Sequence, residues 1–307
     1  MSAYVYALVN QKGGIGKTTA AIHLGTGLQL RGFKTLIIDM DAQCNLTLSL
    51  KGDYQHKPTI MDAILGKVDI FDTIQHLDEV DVIPGSNNLS TLESRIDSRG
   101  KEFFLADAIE PLIPEYDFIV LDSPPALSLI TVGIMCAADS IIIPVGMDMY
   151  SFQGTGQLYR TYNAVKQFCN PDLTIEGILI TQSAVSLKKT LAEIAYKMNT
   201  QIFDSAILPN VIVKHAVIHQ QSLYKYAPKS KPASEFSAFV DELLEKSKDR
   251  WMEVVNDSYT AEIDLKEFEE LYGTLEDELK EIGVDLKESQ SEYIIDETNL
   301  RKEQNND

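Results

Sequence analysis

Cysteine is scarce. The 307-residue chain carries three, Cys44, Cys136 and Cys169, far apart and without a C-x-x-C pair. That spacing argues against an iron–sulfur or zinc site and for small buried apolar residues in a reducing cytosol. No run of about 18 apolar residues occurs, so no membrane span is expected. No signal-peptide pattern precedes the first apolar segment. The five histidines form no metal-ligand spacing. Ser123 lacks the G-x-S-x-G setting of a hydrolase nucleophile, so that chemistry is not indicated. Positive charge is short as well: 27 Lys and Arg stand against 46 Asp and Glu, a net charge of −19.

The charge is uneven. Residues 248–307 hold 19 acidic and 7 basic side chains and few apolar ones. Residues 186–232 run the other way, with Lys188, Lys189, Lys197, Lys214, Lys225, Lys229 and Lys231 against Glu193 and Asp204. A basic segment in an acidic body suits electrostatic binding of a polyanion, and it also suits a plain solvated face; charge alone leaves both open.

What is present begins near the N-terminus. The apolar run Tyr4–Val9 leads into Lys12-Gly13-Gly14-Ile15-Gly16-Lys17-Thr18-Thr19, and an apolar-periodic segment follows. Gly16-Lys17-Thr18 closes a phosphate-binding loop of the G-x-x-x-x-G-K-[ST] kind. Glycines let backbone N–H groups approach phosphate oxygens, and a helix starting near Lys17 adds the positive end of its dipole. Lys17 supplies a mobile cation for the β/γ-phosphates, and the Thr18 hydroxyl is placed to ligate Mg²⁺. Lys12 is a second lysine where the general pattern leaves a free choice. One lysine serves the nucleotide of its own loop, so the second raises the question of whose phosphates it meets.

Two further segments carry carboxylates at strand ends. Leu36-Ile37-Ile38-Asp39-Met40-Asp41 places two at i and i+2, suited to act on Mg²⁺ and an attacking water; a turn stabilised by Asp side chains is the bland reading. Phe118-Ile119-Val120-Leu121-Asp122 ends an apolar strand in the usual place of a Walker-B acid, and Pro124 and Pro125 stiffen the loop beyond it.

Strand-like and helix-like segments alternate to about residue 247. Strands are expected at Tyr4–Val9, Thr35–Asp39, Val80–Ile83, Phe118–Asp122, Ser140–Val145, Leu173–Thr181 and near Ile202–Ile207. Helices are expected at Thr18–Leu30, Ile60–Leu65, Phe103–Ile113, Phe152–Phe168, Lys189–Met198 and Ala233–Lys246. The strands are apolar without polar alternation, as when helices cover both faces of a parallel sheet. The fold class is therefore α/β, doubly wound and mostly parallel, with P-loop NTPase topology. Residues 1–247 form the expected ATPase domain, and 248–307 an acidic helical C-terminal extension. There Leu265, Phe268, Tyr272, Leu275, Leu279, Ile282 and Leu286 follow a heptad stripe within an expected helix over about 261–287, ahead of a disordered end. A helix docked on its own domain, a partner-binding or self-pairing helix, and disorder when alone all stay open.

Together K-G-G-x-G-K-T-T, D-x-D-x-Q and a strand ending D-x-P-P resemble the deviant Walker A ATPases of the ParA/MinD superfamily, specifically the ParA/Soj branch. Ile142-Ile143-Pro144-Val145 with Ser151-Phe152-Gln153-Gly154, Leu208-Pro209-Asn210-Val211 and Tyr226-Ala227-Pro228-Lys229-Ser230 add to the likeness, which covers about residues 3–247. The resemblance implies that Lys12 crosses an ATP-bound dimer to the partner's phosphates. It implies that Gly13, Gly14, Ile15, Gly16, Lys17, Thr18 and Thr19 bind ATP in their own subunit, with Pro209 and Asn210 beside adenine. It assigns Mg²⁺ to Thr18 with Asp39 and Asp122 acting through water, and the lytic water to Asp41. The catalytic set is then Lys12, Lys17 and Asp41. The resemblance further implies plasmid or chromosome partition: a homodimer when ATP-bound, non-specific double-stranded DNA, a ParB-type centromere-binding partner that stimulates hydrolysis, no membrane, and a cytoplasmic, nucleoid-associated location.

Departures from the pattern fall at Ala42, where they alter loop stiffness, and on the DNA side. Ala42 replaces a usual proline, Gln182-Ser183-Ala184 stand in place of a Tyr-Asp-x-Arg element, and Ile212 occupies an often basic position. Lys188, Lys189, Lys214, Lys225 and Lys229 remain as DNA-facing candidates. No helix-turn-helix precedes the loop, so sequence-specific autorepression is not expected. A MinD-like positioning ATPase on a membrane or protein scaffold is the alternative, although the acidic tail is repelled by anionic lipid. A kinase of the bacterial tyrosine-kinase type would favour a tyrosine cluster, which Tyr259, Tyr272 and Tyr293 do not make.

Overall fold

The apolar runs pair as eight strands in one sheet: β1 Tyr4–Leu8, β2 Thr35–Asp39, β3 Gln75–His76, β4 Asp81–Ile83, β5 Phe118–Asp122, β6 Ser140–Gly146, β7 Thr174–Thr181 and β8 Ile202–Ile207. Their spatial order is β3-β4-β2-β5-β1-β6-β7-β8. All neighbours run parallel except the short edge strand β3, antiparallel to β4. Every residue of β2, β5 and β6 is buried, which is why those segments read as continuous apolar runs. The computed structural model describes residues 3–253 apart from 97–99, 147–148, 182–191, 193–194 and 197. These residues lie in one compact unit, Met1–Tyr259. The heptad stripe, the end of the chain, most of the helix expected at Lys189–Met198, and Gln182-Ser183-Ala184 lie outside the described residues.

Helix α1, Lys17–Leu30, runs from the end of β1 and is buried along most of its length. Small residues allow this. A Cβ on Gly25 would lie 2.4 Å from the Ile37 side chain, and one on Gly27 would lie 2.9 Å from Val240. The helix is thus clamped between the sheet and the C-terminal helix, and a larger residue at either position would push it out. Around it Tyr6, Leu24, Leu28, Ile37, Val120, Phe203, Phe236, Phe239 and Val240 form the apolar core.

Further α-helices among the described residues are α2 Asn45–Ser49, α3 Ile60–Ile64, α4 Phe104–Ile109, α5 Leu129–Ala137, α6 Met149–Phe168, α7 Val211–Ile218, α8 Leu223–Tyr226 and α9 Lys231–Glu253. Several differ from expectation. The helix expected over Phe103–Ile113 is three pieces, because Pro111 turns Glu110–Leu112 into a 3₁₀ segment after α4, and Lys101–Phe103 precedes it as another. α2, α5, α7 and α8 were not anticipated. α5 is apolar all round, so its period is hidden, and the chain before α7 reads as loop. α9 runs on past residue 247. No helix of the described residues is long and apolar enough to cross a membrane.

Candidate functional site

The glycine-rich loop follows β1, at the centre of the sheet and at the strands' carboxyl edge, where open α/β sheets bind ligands. Gly14 and Gly16 adopt φ of 76° and 88°, a left-handed region closed to most side chains. That conformation turns the chain so that α1 starts at Lys17. The loop is braced from below. Asn10 Nδ2 donates to the Pro144 carbonyl at 2.8 Å, and the Lys12 N–H donates to Asn10 Oδ1 at 3.1 Å. The Thr181 hydroxyl donates to the Ile15 carbonyl at 2.6 Å, tying the loop to the end of β7. Ser123 Oγ donates to the Leu8 carbonyl at 2.7 Å, locking β5 to β1 just beneath it.

Lys17 is 6% exposed, and its Nζ donates to the Lys12 carbonyl at 2.9 Å. Burial lowers its pKa, while the charges of Asp122 and Asp41 raise it again. The ammonium is therefore held across its own loop, beside two carboxylates. Lys12 lies half-buried on the same loop, with its carbonyl committed to Lys17.

Sheet register brings the acids together. Asp122 of β5 pairs with Leu8 of β1 on one side and Asp39 of β2 on the other. The two carboxylates thus sit on adjacent strand tips beside the loop. Asp39 is fully buried and fully employed: Oδ1 accepts from the Asp41 N–H at 3.1 Å, and Oδ2 accepts from the Thr47 N–H at 2.9 Å and the Thr47 hydroxyl at 2.7 Å. Burial lifts its pKa to about 6. Gly85 is needed here, since a Cβ would stand 3.0 Å from the Asp39 carboxyl carbon and from the Asp41 carbonyl. Asp41 follows at the tip of the turn, where Oδ1 accepts from the Gln43 N–H at 3.0 Å.

Asp122 differs. It is fully buried, and neither carboxylate oxygen has a complete hydrogen bond from the protein. Burial pushes its pKa well above the usual carboxylate range and the charge of Asp39 adds to this; the Thr18 hydroxyl and the Lys17 ammonium oppose it. An uncompensated buried carboxylate beside a threonine hydroxyl calls for a cation or a donor-bearing water. No group of three or more His, Cys, Asp or Glu among the described residues could cage a metal unaided. That combination fits Mg²⁺, which is held by one or two protein oxygens, several waters and the phosphates of a nucleotide.

Above the loop and the acids lies a cavity of about 770 Å³, within the range of small-molecule sites. Gly13, Gly14, Gly16, Lys17, Thr18 and Thr19 form its floor. Asp41 with Gln43, Asn45 and Ser49 forms part of its wall, and Val217, Ile218 and Gln220 from the end of α7 another part. Pro125 packs against Gly13, where a Cβ would find it at 3.6 Å.

The structure thus gathers the loop residues, Asp39, Asp41 and Asp122. Pro209 and Asn210 stand at the opposite end of α7 from that wall. The Asn210 Oδ1 accepts from the Ile212 N–H at 3.0 Å and so caps the helix. Lys214, Lys225 and Lys229 are exposed, and Lys225 is paired with Asp78. Lys188 and Lys189 lie outside the described residues. Sequence reasoning missed Asn10, Thr47, Thr181 and the α7 wall. A polar residue just past a buried strand marks Asn10; nothing local marks the others, whose partners are 8 or more residues away.

A parallel sheet whose central strand feeds a glycine loop into a helix, with a buried lysine and an acidic residue on the next strand tip, defines a P-loop nucleotide-binding protein. The comparisons narrow this. A family model described as AAA domain matches residues 3–175. The chain is 34% identical over 250 residues to the chromosome partitioning protein ParA of Myxococcus xanthus, covering 79% of this chain and 88% of that protein. It is 32% identical to the sporulation initiation inhibitor protein Soj of Bacillus subtilis, covering 75% and 93%. Among solved structures, cobyrinic acid a,c-diamide synthase from Mycobacterium smegmatis, with bound ADP and magnesium, superposes with a TM-score of 0.70 at 29% identity, covering 81% and 96%. The chain belongs to the ParA/MinD superfamily of P-loop ATPases.

Proposed function

We propose that this chain is an ATP-driven DNA-segregation switch: Mg-ATP drives dimerisation and non-specific DNA binding, and hydrolysis, stimulated by a ParB-type centromere-binding partner, resets it. The observation that carries the reading is the division of labour between the two loop lysines. Lys17 is buried, lines the cavity and is aimed across its own loop. Lys12 sits on that loop but is not among the residues that line the cavity. In this reading Lys17 serves the nucleotide of its own loop, and Lys12 serves phosphates presented by another subunit. Partition proteins among the relatives support the same reading.

In this reading Gly13 to Gly16 offer backbone N–H groups to the triphosphate, Lys17 and Thr19 bind its phosphates, and Pro209 and Asn210 border adenine. Thr18 and Asp122 hold Mg²⁺, the acid through water, and the metal neutralises charge on the phosphates. Asp39 shapes the site by orienting Asp41 through the bond from the Asp41 N–H. Asp41 accepts a proton from, and orients, the attacking water. Exposed Lys214, Lys225 and Lys229, with Lys188 and Lys189, meet DNA phosphates. The protein then works in the cytoplasm on the nucleoid. The test is binding of ATP-loaded protein to arbitrary duplex DNA across a salt series. Affinity that falls steeply with salt is the expected result, because phosphate contacts release counterions. ATP-loaded protein without salt-sensitive DNA binding sinks the DNA reading.

A further inference from the structure

Helix α7 forms a wall of the cavity, yet little packing fixes it. Within it Ala216 alone is fully buried; Ile212 and Val213 are half-buried, while Val211, Val217 and Ile218 are 61%, 43% and 74% exposed. A helix with so few buried contacts is held mainly by its ends. At its start Asn210 caps it, and the Leu208 N–H donates to Glu235 at 3.0 Å. At its finish Gln220 takes a φ of 53°, reversing the chain into Ser222 and α8. There the Leu223 N–H donates to His23 Nε2 at 2.9 Å, and the Tyr224 hydroxyl donates to the His23 carbonyl at 3.2 Å. Glu79 accepts from the Ser222 N–H at 3.0 Å and from its hydroxyl.

His23 belongs to α1, one turn beyond Thr19. Its Nδ1 lies 2.6 Å from the Thr19 carbonyl, so Nδ1 carries the proton and Nε2 is the acceptor. The ring is stacked on Phe236 with centroids 4.3 Å apart and planes 14° apart, which fixes its orientation. A single fully buried imidazole therefore spans from the first turn of the phosphate-loop helix to the first amide of α8. Thr19 and Ile22 on one side of it, and Val217, Ile218 and Gln220 on the other, all line the cavity.

We propose that His23 is a positioning residue that ties the α7 wall of the cavity to the phosphate-loop helix. It sets how far the wall stands from the loop, and it passes the occupancy of one to the other. The proposal rests on the nucleotide reading of the cavity.

The test uses the full chain and two probes, Mg-ATP and inorganic pyrophosphate, with binding measured by calorimetry on the folded fraction. Pyrophosphate reaches only the loop, whereas ATP also needs the wall. In His23→Phe, which keeps the stack on Phe236 and loses both ring hydrogen bonds, the ratio of ATP to pyrophosphate affinity is expected to fall about tenfold, the scale of one lost buried hydrogen bond. His23→Gln, which restores an acceptor toward Leu223, should recover most of the ratio. A general loss of stability lowers the folded fraction and leaves the ratio alone, so an unchanged ratio in His23→Phe overturns the proposal. If His23→Phe does not fold, hydrogen exchange in the wild type decides: the Leu223 amide should be slowed by Mg-ATP and less by pyrophosphate, and equal or absent slowing with both probes bound overturns it. Wild type that binds pyrophosphate and not ATP fails the nucleotide reading itself, before any substitution is made.

Discussion

The two sides of the cavity are built on opposite principles. On the phosphate side Lys17, Asp39, Asp41 and Asp122 are buried, and side-chain bonds from Asn10, Ser123 and Thr181 to backbone carbonyls tie β1 and its loop to β5, β6 and β7. On the α7 side large apolar residues face solvent and the helix hangs from its two ends. Burial at the floor keeps charges in a low-dielectric setting, where they act strongly on phosphate and cannot wander. Exposure at the wall leaves a surface that is cheap to move. The contrast suits a switch, with one half fixed to do chemistry and the other free to report it.

Several substitutions sharpen or break that contrast. Asp41→Asn keeps the turn, since an amide oxygen can still accept from Gln43, and removes the carboxylate proposed to act on the attacking water. ATP turnover should drop by about 10²–10⁴-fold with ATP binding retained, measured by phosphate release beside calorimetry. Turnover near wild type would remove Asp41 from the chemistry. Lys17→Ala should weaken Mg-ATP binding about a hundredfold, the scale of a buried charged hydrogen bond. An intact affinity would mean that the floor does not carry the phosphates.

His23 joins the two sides, and its titration reads the joint. Burial depresses its pKa from the ordinary value of 6.5 to about 4. The folded protein thus favours the neutral ring. Its contribution to stability is complete above pH 6.5 and lost as pH falls toward about 4. The slope from this one proton is about 1.4 kcal/mol per pH unit. Asp39 and Asp122, whose pKa values are raised, titrate with the opposite sign. The clean readout is therefore the difference between wild type and His23→Gln in denaturant midpoints between pH 7 and pH 4.5. Parallel curves would show that His23 is not held as described. Smallest of all, Ile218→Ser should change unfolding free energy by no more than about 0.5 kcal/mol, because the side chain is already 74% exposed. A larger loss would mean that the wall is packed after all.

The same contrast governs what was legible beforehand. The floor was readable because its chemistry is local: Gly14, Gly16 and Lys17 must follow one another, and Asp39 and Asp122 end apolar strands. The parallel sheet was readable from strands without polar alternation. The wall was not. α7 is short and nearly unburied, so it leaves no 3.6-residue stripe, and His23 looks like any residue on an apolar helix until Leu223 arrives from 200 positions away. Thr47 and Thr181 are hidden for the same reason, since their partners Asp39 and Ile15 are set by tertiary folding. Pro111 is the local signal that was underweighted, and it breaks the expected helix over Phe103–Ile113.

The central claim is that Lys17 serves its own nucleotide and Lys12 a partner's. Sizing wild type and Lys12→Ala with ADP, ATP and a non-hydrolysable ATP analogue tests it most directly. Wild type should double in mass with ATP or the analogue and stay single with ADP, while Lys12→Ala binds ATP and stays single throughout. Lys12→Ala that dimerises with ATP as wild type does, or wild type whose mass ignores the nucleotide it binds, would contradict the claim.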